Sequence, residues 1–223
     1  MIDFKQKAQY DFEDLLALVS FLRSERGCPW DHVQTHESIR RNFLEEAYEA
    51  CEGIDLDDPA ILKEELGDVL LQVVFHADIE KDRGRFTIQD VCDAICKKLI
   101  FRHPHLFFGG ERQDWDELKK KEKGVRTKSM LLGGVAKSLP ALIRAEKICE
   151  KSGETTELSA LDEAFASYKS ALGGPDAGQA LGELLLAAIG AGVPQELDGE
   201  TALHCACDRY IRRTAEKEQR SQK

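Results

Sequence analysis

Five carboxylates in the first third of the chain have the residue types and the spacing of metal ligands. Glu45, Glu46 and Glu49 occur together, and Glu65 and Asp68 follow after a gap. Because residues three apart lie on the same side of a helix, each group can present two acids to one neighbour. Like charges brought this close cannot all stay ionised without a cation. Oxygen ligands with no histidine or cysteine at ligand spacing favour Mg²⁺, with Mn²⁺ as a possible substitute, over zinc.

Two helices must position these acids, and start signals mark both of them. Thr35 is a suitable N-cap for a helix near 35–54, and Asp57–Pro59 supplies a cap and a first-turn proline for a helix near 59–82. The connection between them is short, which suits antiparallel neighbours. The sequence therefore predicts a helical hairpin with acids on both arms.

The second arm of this hairpin combines an apolar surface with a polar stripe. Its apolar residues cover most of the circumference, which predicts a largely buried helix. Glu65, Asp68 and Gln72 nevertheless share a narrow arc, and His76 lies close by. Buried carboxylates without a partner are very costly. We therefore expect this stripe to meet the acids of the first arm at the seam between the helices.

Two other interpretations of the acids are possible. In the first, each acid is exposed or forms a salt bridge with Arg40, Arg41 or Lys63, which is the better interpretation for any single glutamate. Four acids at helical spacing on paired helices favour the metal site instead. The second is a di-iron carboxylate bundle, which needs Glu-x-x-His on two helices. None of the six histidines has a carboxylate three residues before it, so that interpretation fails.

Almost every segment is predicted to be helical, because no stretch shows convincing period-2 alternation and β-branched residues are sparse. We predict an all-α fold with helices near 3–24, 35–54, 59–82, 87–101, 112–122, 136–151, 157–172, 177–190 and 199–219. A weak internal duplication relates 64–71 to 179–186, and the second copy has lost most of its carboxylates.

The composition and net charge indicate which partners and which cellular compartment to expect. The chain has 223 residues and a net charge of −10, which disfavours a nucleic-acid partner. Seven cysteines form an odd set with no CxxC pair, which predicts reduced and mostly buried thiols. No apolar stretch approaches the length needed to cross a bilayer, so we expect a cytoplasmic protein with no membrane partner.

The arrangement of acids resembles the EExxE…ExxD signature of the MazG family of nucleoside triphosphate pyrophosphohydrolases. Further blocks resemble the family as well, and the resemblance is dense over roughly residues 10–150. These blocks are Gly27–Asp31, Gln34–His36, Glu64–Asp68, Gln72–His76, Arg102–His105, Leu139–Leu142 and Ala145–Lys147.

The resemblance implies an all-α helical bundle, an obligate homodimer and Mg²⁺-dependent release of pyrophosphate from NTPs or dNTPs. It implies metal ligands at Glu46, Glu49, Glu65 and Asp68. It gives Glu45 a role as accessory ligand or as the group that orients the attacking water.

The resemblance also implies phosphate contacts at Lys98 and Arg102. Two cations one turn apart suit a triphosphate tail, although an exposed cationic face would carry the same residues. Trp30, in a Cys-Pro-Trp loop, can stack on a base, but packing at a loop corner is the interpretation that we favour.

The second half of the chain departs from the family pattern. Family members often repeat the acidic signature there, whereas this chain keeps only Glu163 and Glu183 at the matching places. We therefore predict a tandem arrangement with a catalytic MazG-like domain over 1–125, a connector helix over 126–155 and a degenerate MazG-like domain over 156–223.

The predicted function is hydrolysis of an NTP or dNTP to the monophosphate and pyrophosphate, at a site in the first half. The alternative is a non-catalytic regulatory protein that binds a nucleotide or an alarmone. The full set of acids in the first half favours the enzyme, because binding alone does not require so many.

Overall fold

The computed structural model describes residues 6–122, 124 and 126–221, apart from the side chain of Asp116. Within these residues it contains helices and no strand, which confirms the predicted all-α class. The α-helices are α1 (Phe12–Arg23), α2 (Pro29–His32), α3 (His36–Asp55), α4 (Pro59–Asp82), α5 (Ile88–Arg102), α6 (Pro104–Phe107), α7 (Trp115–Glu122), α8 (Lys128–Gly133), α9 (Ala141–Ser152), α10 (Leu158–Ala171), α11 (Ala177–Gly192) and α12 (Gly199–Ser221). A single 3₁₀ turn, Val193–Gln195, follows α11.

The chain divides into two compact units, Met1–Gln113 and Asp114–Lys223. The first unit contains α1 to α6, and the second contains α7 to α12. The predicted division into a catalytic domain, a connector helix and a degenerate domain, with boundaries at residues 125 and 155, stays a prediction.

The helical hairpin of α3 and α4 is the main feature of the first unit. Thr35 caps α3 in a reciprocal exchange with Ser38, and the Asp58 side chain accepts hydrogen bonds from the backbone of Ala60 and Ile61 at the start of α4. Both predicted caps are confirmed, and both satisfy backbone donors that the helices leave unpaired.

The two arms approach closely near their connection. A Cβ at Gly53 would lie only 2.8 Å from the backbone nitrogen of Leu62, so the close approach requires glycine there. Farther from the turn, Val19 of α1 and Ile39 of α3 pack with Val74 and Ile79 of α4 to form the core of the unit. The two arms of the hairpin therefore pack against each other both near the turn and far from it.

The prediction that α4 is largely buried is right only for its second half. Val74, Phe75, Ala77 and Ile79 are buried. Leu66 and Leu70, nearer the start, are 53% and 40% exposed. Helical periodicity indicates which residues share a face, but it does not indicate how far along the helix its neighbours extend.

Two predicted helix starts are also wrong. Among the described residues, the first helix begins at Phe12, where Asp11 and Asp14 form a capping box, and the predicted positions 3–5 lie outside the described residues. The helix predicted from 136 begins at Ala141, because Pro140 adopts an extended conformation with ψ of 144°. The three short helices α2, α6 and α8 were not predicted, since four to six residues are too few to show a periodicity.

The cysteines differ from expectation in their exposure. All seven are free thiols, but only Cys28 and Cys149 are partly buried and the other five are exposed. The prediction of mostly buried thiols is therefore wrong.

In the second unit, α11 packs against α9 and α10. The stretch Ala177–Gln195 is long and apolar enough to cross a membrane by length and composition, so the expectation that no stretch reaches this length is wrong. One such helix is weak evidence for a membrane span, and only 11% of the stretch is buried in the described protein.

Candidate metal centre

Three carboxylates meet at the seam between α3 and α4. Glu46 and Glu49 come from α3 and Glu65 comes from α4, and one carboxylate oxygen of each lies within 4.8 Å of the other two. Gly53, near the end of α3, lies against Leu62 at the start of α4, whereas His36, at the start of α3, contacts Glu80 near the end of α4. The two arms are therefore antiparallel. The structure therefore brings together three of the four predicted metal ligands.

The meeting of these carboxylates shifts the pKa of two of them. Burial raises the pKa of Glu46, and the charges of Asp68, Glu49 and Glu65 raise it further. Burial also raises the pKa of Glu65, followed by the charges of Glu49 and Asp68. Asp68 is not within the group of three, but it is close enough to act on both of these acids.

These four acids have no cationic partner among the described residues. In that part of the chain no lysine or arginine forms a salt bridge with Glu46, Glu49, Glu65 or Asp68. The salt-bridge interpretation of the acids is correct only for Glu45, whose side chain binds Arg41 at 2.7 Å on the exposed side of α3. The structure thus does not bring Glu45 into the cluster, and its accessory role stays a prediction.

The predicted phosphate contacts lie on a different helix. Lys98 and Arg102 are one turn apart in the last part of α5, and both are partly buried. Neither forms an ion pair with the four acids, so the structure does not join the predicted phosphate site to the carboxylates. Their role stays a prediction.

Trp30 lies on the short helix α2 and is 58% exposed. The favoured interpretation, packing at a loop corner, has little support among the described residues, because more than half of the Trp30 surface is exposed there. Stacking on a base stays a prediction.

Sequence reasoning missed a polar network at the far end of the seam. Nδ1 of His36 lies 2.7 Å from Nδ1 of His76, and Nε2 of His36 lies 2.5 Å from the buried carboxylate of Glu80. Arg85 and Arg83 also donate to that carboxylate. The hydrogen bonds from Arg85 and His36 lower the pKa of Glu80 to about 2, whereas burial, followed by the charge of His36, lowers the pKa of His76.

A signal for this network was present in the sequence. Asp68, Gln72, His76 and Glu80 follow one another at four-residue spacing, which continues the polar stripe along α4. The partner, His36, belongs to the start of α3, and it could be paired with His76 only once the register of the two antiparallel arms was known.

The donor set fits a hard divalent cation. Carboxylate oxygens from two helices converge, and no protein cation neutralises them within the described chain. Burial, followed by their mutual repulsion, raises the pKa of Glu46 and Glu65. Such a site favours Mg²⁺ or Mn²⁺ over softer metals.

Comparison with known proteins agrees with this geometry. Residues 34–107 match the model of the MazG nucleotide pyrophosphohydrolase domain, a range that contains all five acids together with Lys98 and Arg102. The match lies within the first unit.

Several curated proteins are similar to this chain. The nucleoside triphosphate pyrophosphohydrolase/pyrophosphatase MazG of Thermotoga maritima is 38% identical over 213 residues, which cover 91% of this chain and 83% of that protein. The uncharacterized protein YabN of Bacillus subtilis is 44% identical over 146 residues, or 62% of this chain and 30% of YabN.

The nucleoside triphosphate pyrophosphohydrolase of Escherichia coli is 41% identical over 142 residues, which cover 60% of this chain and 54% of that protein. The similarity to the Thermotoga protein extends over both units, whereas the other two alignments cover less than two thirds of this chain. The chain therefore belongs to the MazG family of nucleotide pyrophosphohydrolases, and it is a hydrolase that acts on phosphoric anhydrides.

Proposed function

We propose that this chain hydrolyses a nucleoside or deoxynucleoside triphosphate between the α and β phosphates, releasing the monophosphate and pyrophosphate. The reaction depends on Mg²⁺, and its site is the α3–α4 seam of the first unit. The observation that carries the proposal is the meeting of Glu46, Glu49 and Glu65 within 4.8 Å, with no cation of the described chain to neutralise them.

Glu46, Glu49 and Glu65 would hold the metal ion, and Asp68 completes the set from the same seam. When bound, the ion supplies charge neutralisation for the triphosphate and a water of lowered pKa. The carboxylates fix the place of the site between two rigid helices, which favours a constant geometry for the substrate.

The cationic residues of α5 are the proposed phosphate contacts. Lys98 and Arg102 lie one turn apart, which lets them contact adjacent phosphates of one triphosphate. Glu45 is exposed and adjacent in sequence to Glu46, and it is the proposed accessory group. Trp30 presents a largely exposed ring, which supports a role in stacking on the base.

We also propose that the enzyme is a homodimer. The first unit exposes apolar residues one turn apart on each arm of the hairpin and along α5, a pattern that a monomer would leave in water. These residues are Leu44, Tyr48, Leu66, Leu70, Ile95 and Leu99. A mass of about twice the 25.0 kDa chain in analytical ultracentrifugation supports the dimer, and a mass of one chain contradicts it.

The set of free thiols supports a reducing compartment, and we place the enzyme in the cytoplasm. The acidic balance of the chain, with a net charge of −10, supports a small-molecule substrate over nucleic acid.

The experiment is a screen of NTPs and dNTPs with separate detection of pyrophosphate and orthophosphate, with Mg²⁺ and with chelator. We expect pyrophosphate and a monophosphate as the only products, formed only with the divalent ion. Hydrolysis in ¹⁸O-water places the label in the monophosphate if water attacks the α phosphorus.

Two outcomes contradict the proposal. Orthophosphate and a diphosphate as first products would indicate a γ-phosphatase. Nucleotide binding without any turnover would indicate the regulatory alternative.

A further inference from the structure

Gln72 lies between the acidic cluster and the histidine pair on the polar stripe of α4. It is one turn after Asp68 and one turn before His76. Both neighbours face α3, because the charge of Asp68 raises the pKa of Glu46, and the His76 ring meets the edge of Phe43 at a centroid distance of 5.7 Å. The position of Gln72 in the stripe therefore places it at the same seam.

The side chain of Gln72 is buried and incompletely satisfied. The residue is only 9% exposed, and its Oε1 has no hydrogen-bond donor in the described part of the protein. A buried carbonyl oxygen without a donor is destabilising, and such groups are rare in folded proteins. His76, one turn farther along α4, has a hydrogen-bond partner in His36. The lack of a donor is therefore specific to Gln72 and is not shared by its neighbour on the stripe.

A donor of the right kind is expected from the neighbouring cluster. Mg²⁺ and Mn²⁺ favour six ligands in an octahedron, and they keep several waters when few carboxylates are available. Waters bound to a cation are strong hydrogen-bond donors. An amide oxygen accepts from such a water without adding another negative charge to a seam that already contains four acids.

We infer that Gln72 is a positioning residue whose Oε1 accepts a hydrogen bond from a water bound to the cation at the Glu46–Glu49–Glu65 cluster. The inference rests on the metal site of the proposed function, but it does not require turnover. It makes Gln72 a determinant of how tightly and in which orientation the hydrated ion is held.

The test measures Mn²⁺ binding to the full chain without nucleotide, by electron paramagnetic resonance or calorimetry. Gln72→Met keeps the length of the side chain and removes the acceptor, so the Mn²⁺ dissociation constant should rise about tenfold. Gln72→Glu keeps an acceptor oxygen and adds charge, so its affinity should equal or exceed that of the wild type. Gln89→Met, on the exposed side of α5, is the matched control and should bind Mn²⁺ like the wild type.

Thermal unfolding separates this role from a purely structural one. Without a divalent ion, Gln72→Met should unfold at a higher temperature than the wild type, because a buried acceptor without a donor has been removed. At one Mn²⁺ concentration above both dissociation constants, the wild type should gain more stability than the variant, because the stabilisation grows with the ratio of ligand concentration to dissociation constant.

Wild-type Mn²⁺ affinity in Gln72→Met overturns the inference, and so does an equal loss in Gln72→Glu. If Gln72→Met does not fold, the affinity of Gln72→Glu decides alone. A wild type that binds Mn²⁺ but releases no pyrophosphate contradicts the proposed function and leaves this comparison intact. A wild type that binds no Mn²⁺ overturns both.

Discussion

The two ends of the α3–α4 seam hold carboxylates in opposite electrostatic states. Near the turn, Glu46, Glu49 and Glu65 crowd together, and the pKa values of Glu46 and Glu65 are raised. At the far end, Glu80 is surrounded by donors, and its pKa is lowered to about 2.

The difference separates a structural carboxylate, Glu80, from the three carboxylates that we propose bind a cation. Arg85, Arg83 and His36 neutralise Glu80, so that end of the seam is complete in the folded chain. The acidic cluster lacks such partners among the described residues, which supports the proposal that a cation from solution completes it. Because the same two helices hold both ends, substitutions at either end can be compared within one scaffold.

The largest expected effect is loss of turnover at the acidic end. Glu65→Ala or Asp68→Ala should reduce pyrophosphate release by roughly a hundredfold or more, because each removes an oxygen that the divalent ion needs. Steady-state assays with saturating Mg²⁺ measure this. Glu52→Ala, on the exposed side of α3, is the matched control. Near-normal turnover in Glu65→Ala would contradict the assignment of Glu65 as a metal ligand.

At the far end the expected loss is in stability. Glu80→Gln should lower the melting temperature by several degrees, because Arg85 and His36 would lose a buried carboxylate partner. Mn²⁺ affinity at 25 °C should stay near that of the wild type. Weakened metal binding in a folded Glu80→Gln protein would show that the two ends are not independent.

The pH dependence of stability should follow Glu80 on the acid side. Its folded pKa of about 2 lies below the ordinary value of 4.5, so the folded state binds fewer protons than the unfolded state between these values. The carboxylate therefore stabilises the fold above about pH 4.5, and that stabilisation is lost as the pH falls toward 2. Chemical unfolding from pH 6 to pH 3 should show a steeper loss in the wild type than in Glu80→Gln, and parallel curves would contradict this account.

A smaller and opposite effect is expected at the acidic end without metal. Glu65→Gln should raise the melting temperature of the metal-free protein at pH 7, because it removes one of several repelling charges. Added Mg²⁺ should stabilise the wild type more than this variant. A lower melting temperature without metal would mean that Glu65 already has a stabilising partner.

The smallest effect is expected in the second unit. Glu163 and Glu183 lie on α10 and α11, a packed pair of helices, and both are exposed. Two isolated carboxylates do not supply the ligands that Mg²⁺ requires. The double variant Glu163→Gln with Glu183→Gln should keep turnover within about twofold of the wild type. A large loss in a folded double variant would show that the second unit takes part in the chemistry.

The sequence by itself determined the hairpin and most of its acidic cluster. Helical spacing placed Glu46 and Glu49 together, and likewise Glu65 and Asp68, because three residues make nearly one turn. The caps at Thr35 and Asp58 could also be predicted from the sequence, since capping depends on local backbone donors.

Only the tertiary structure decided which polar residues of the seam have partners. Spacing already offers Arg41, four residues earlier on α3, as a partner for Glu45, but it could not show that Trp30 stays largely exposed. The network of Glu80 joins α4 to the start of α3 and to the loop after α4, so it depends on how the antiparallel arms are aligned. Local patterns determine which side of a helix is polar, whereas the depth of burial and the choice of partner depend on residues distant in the chain.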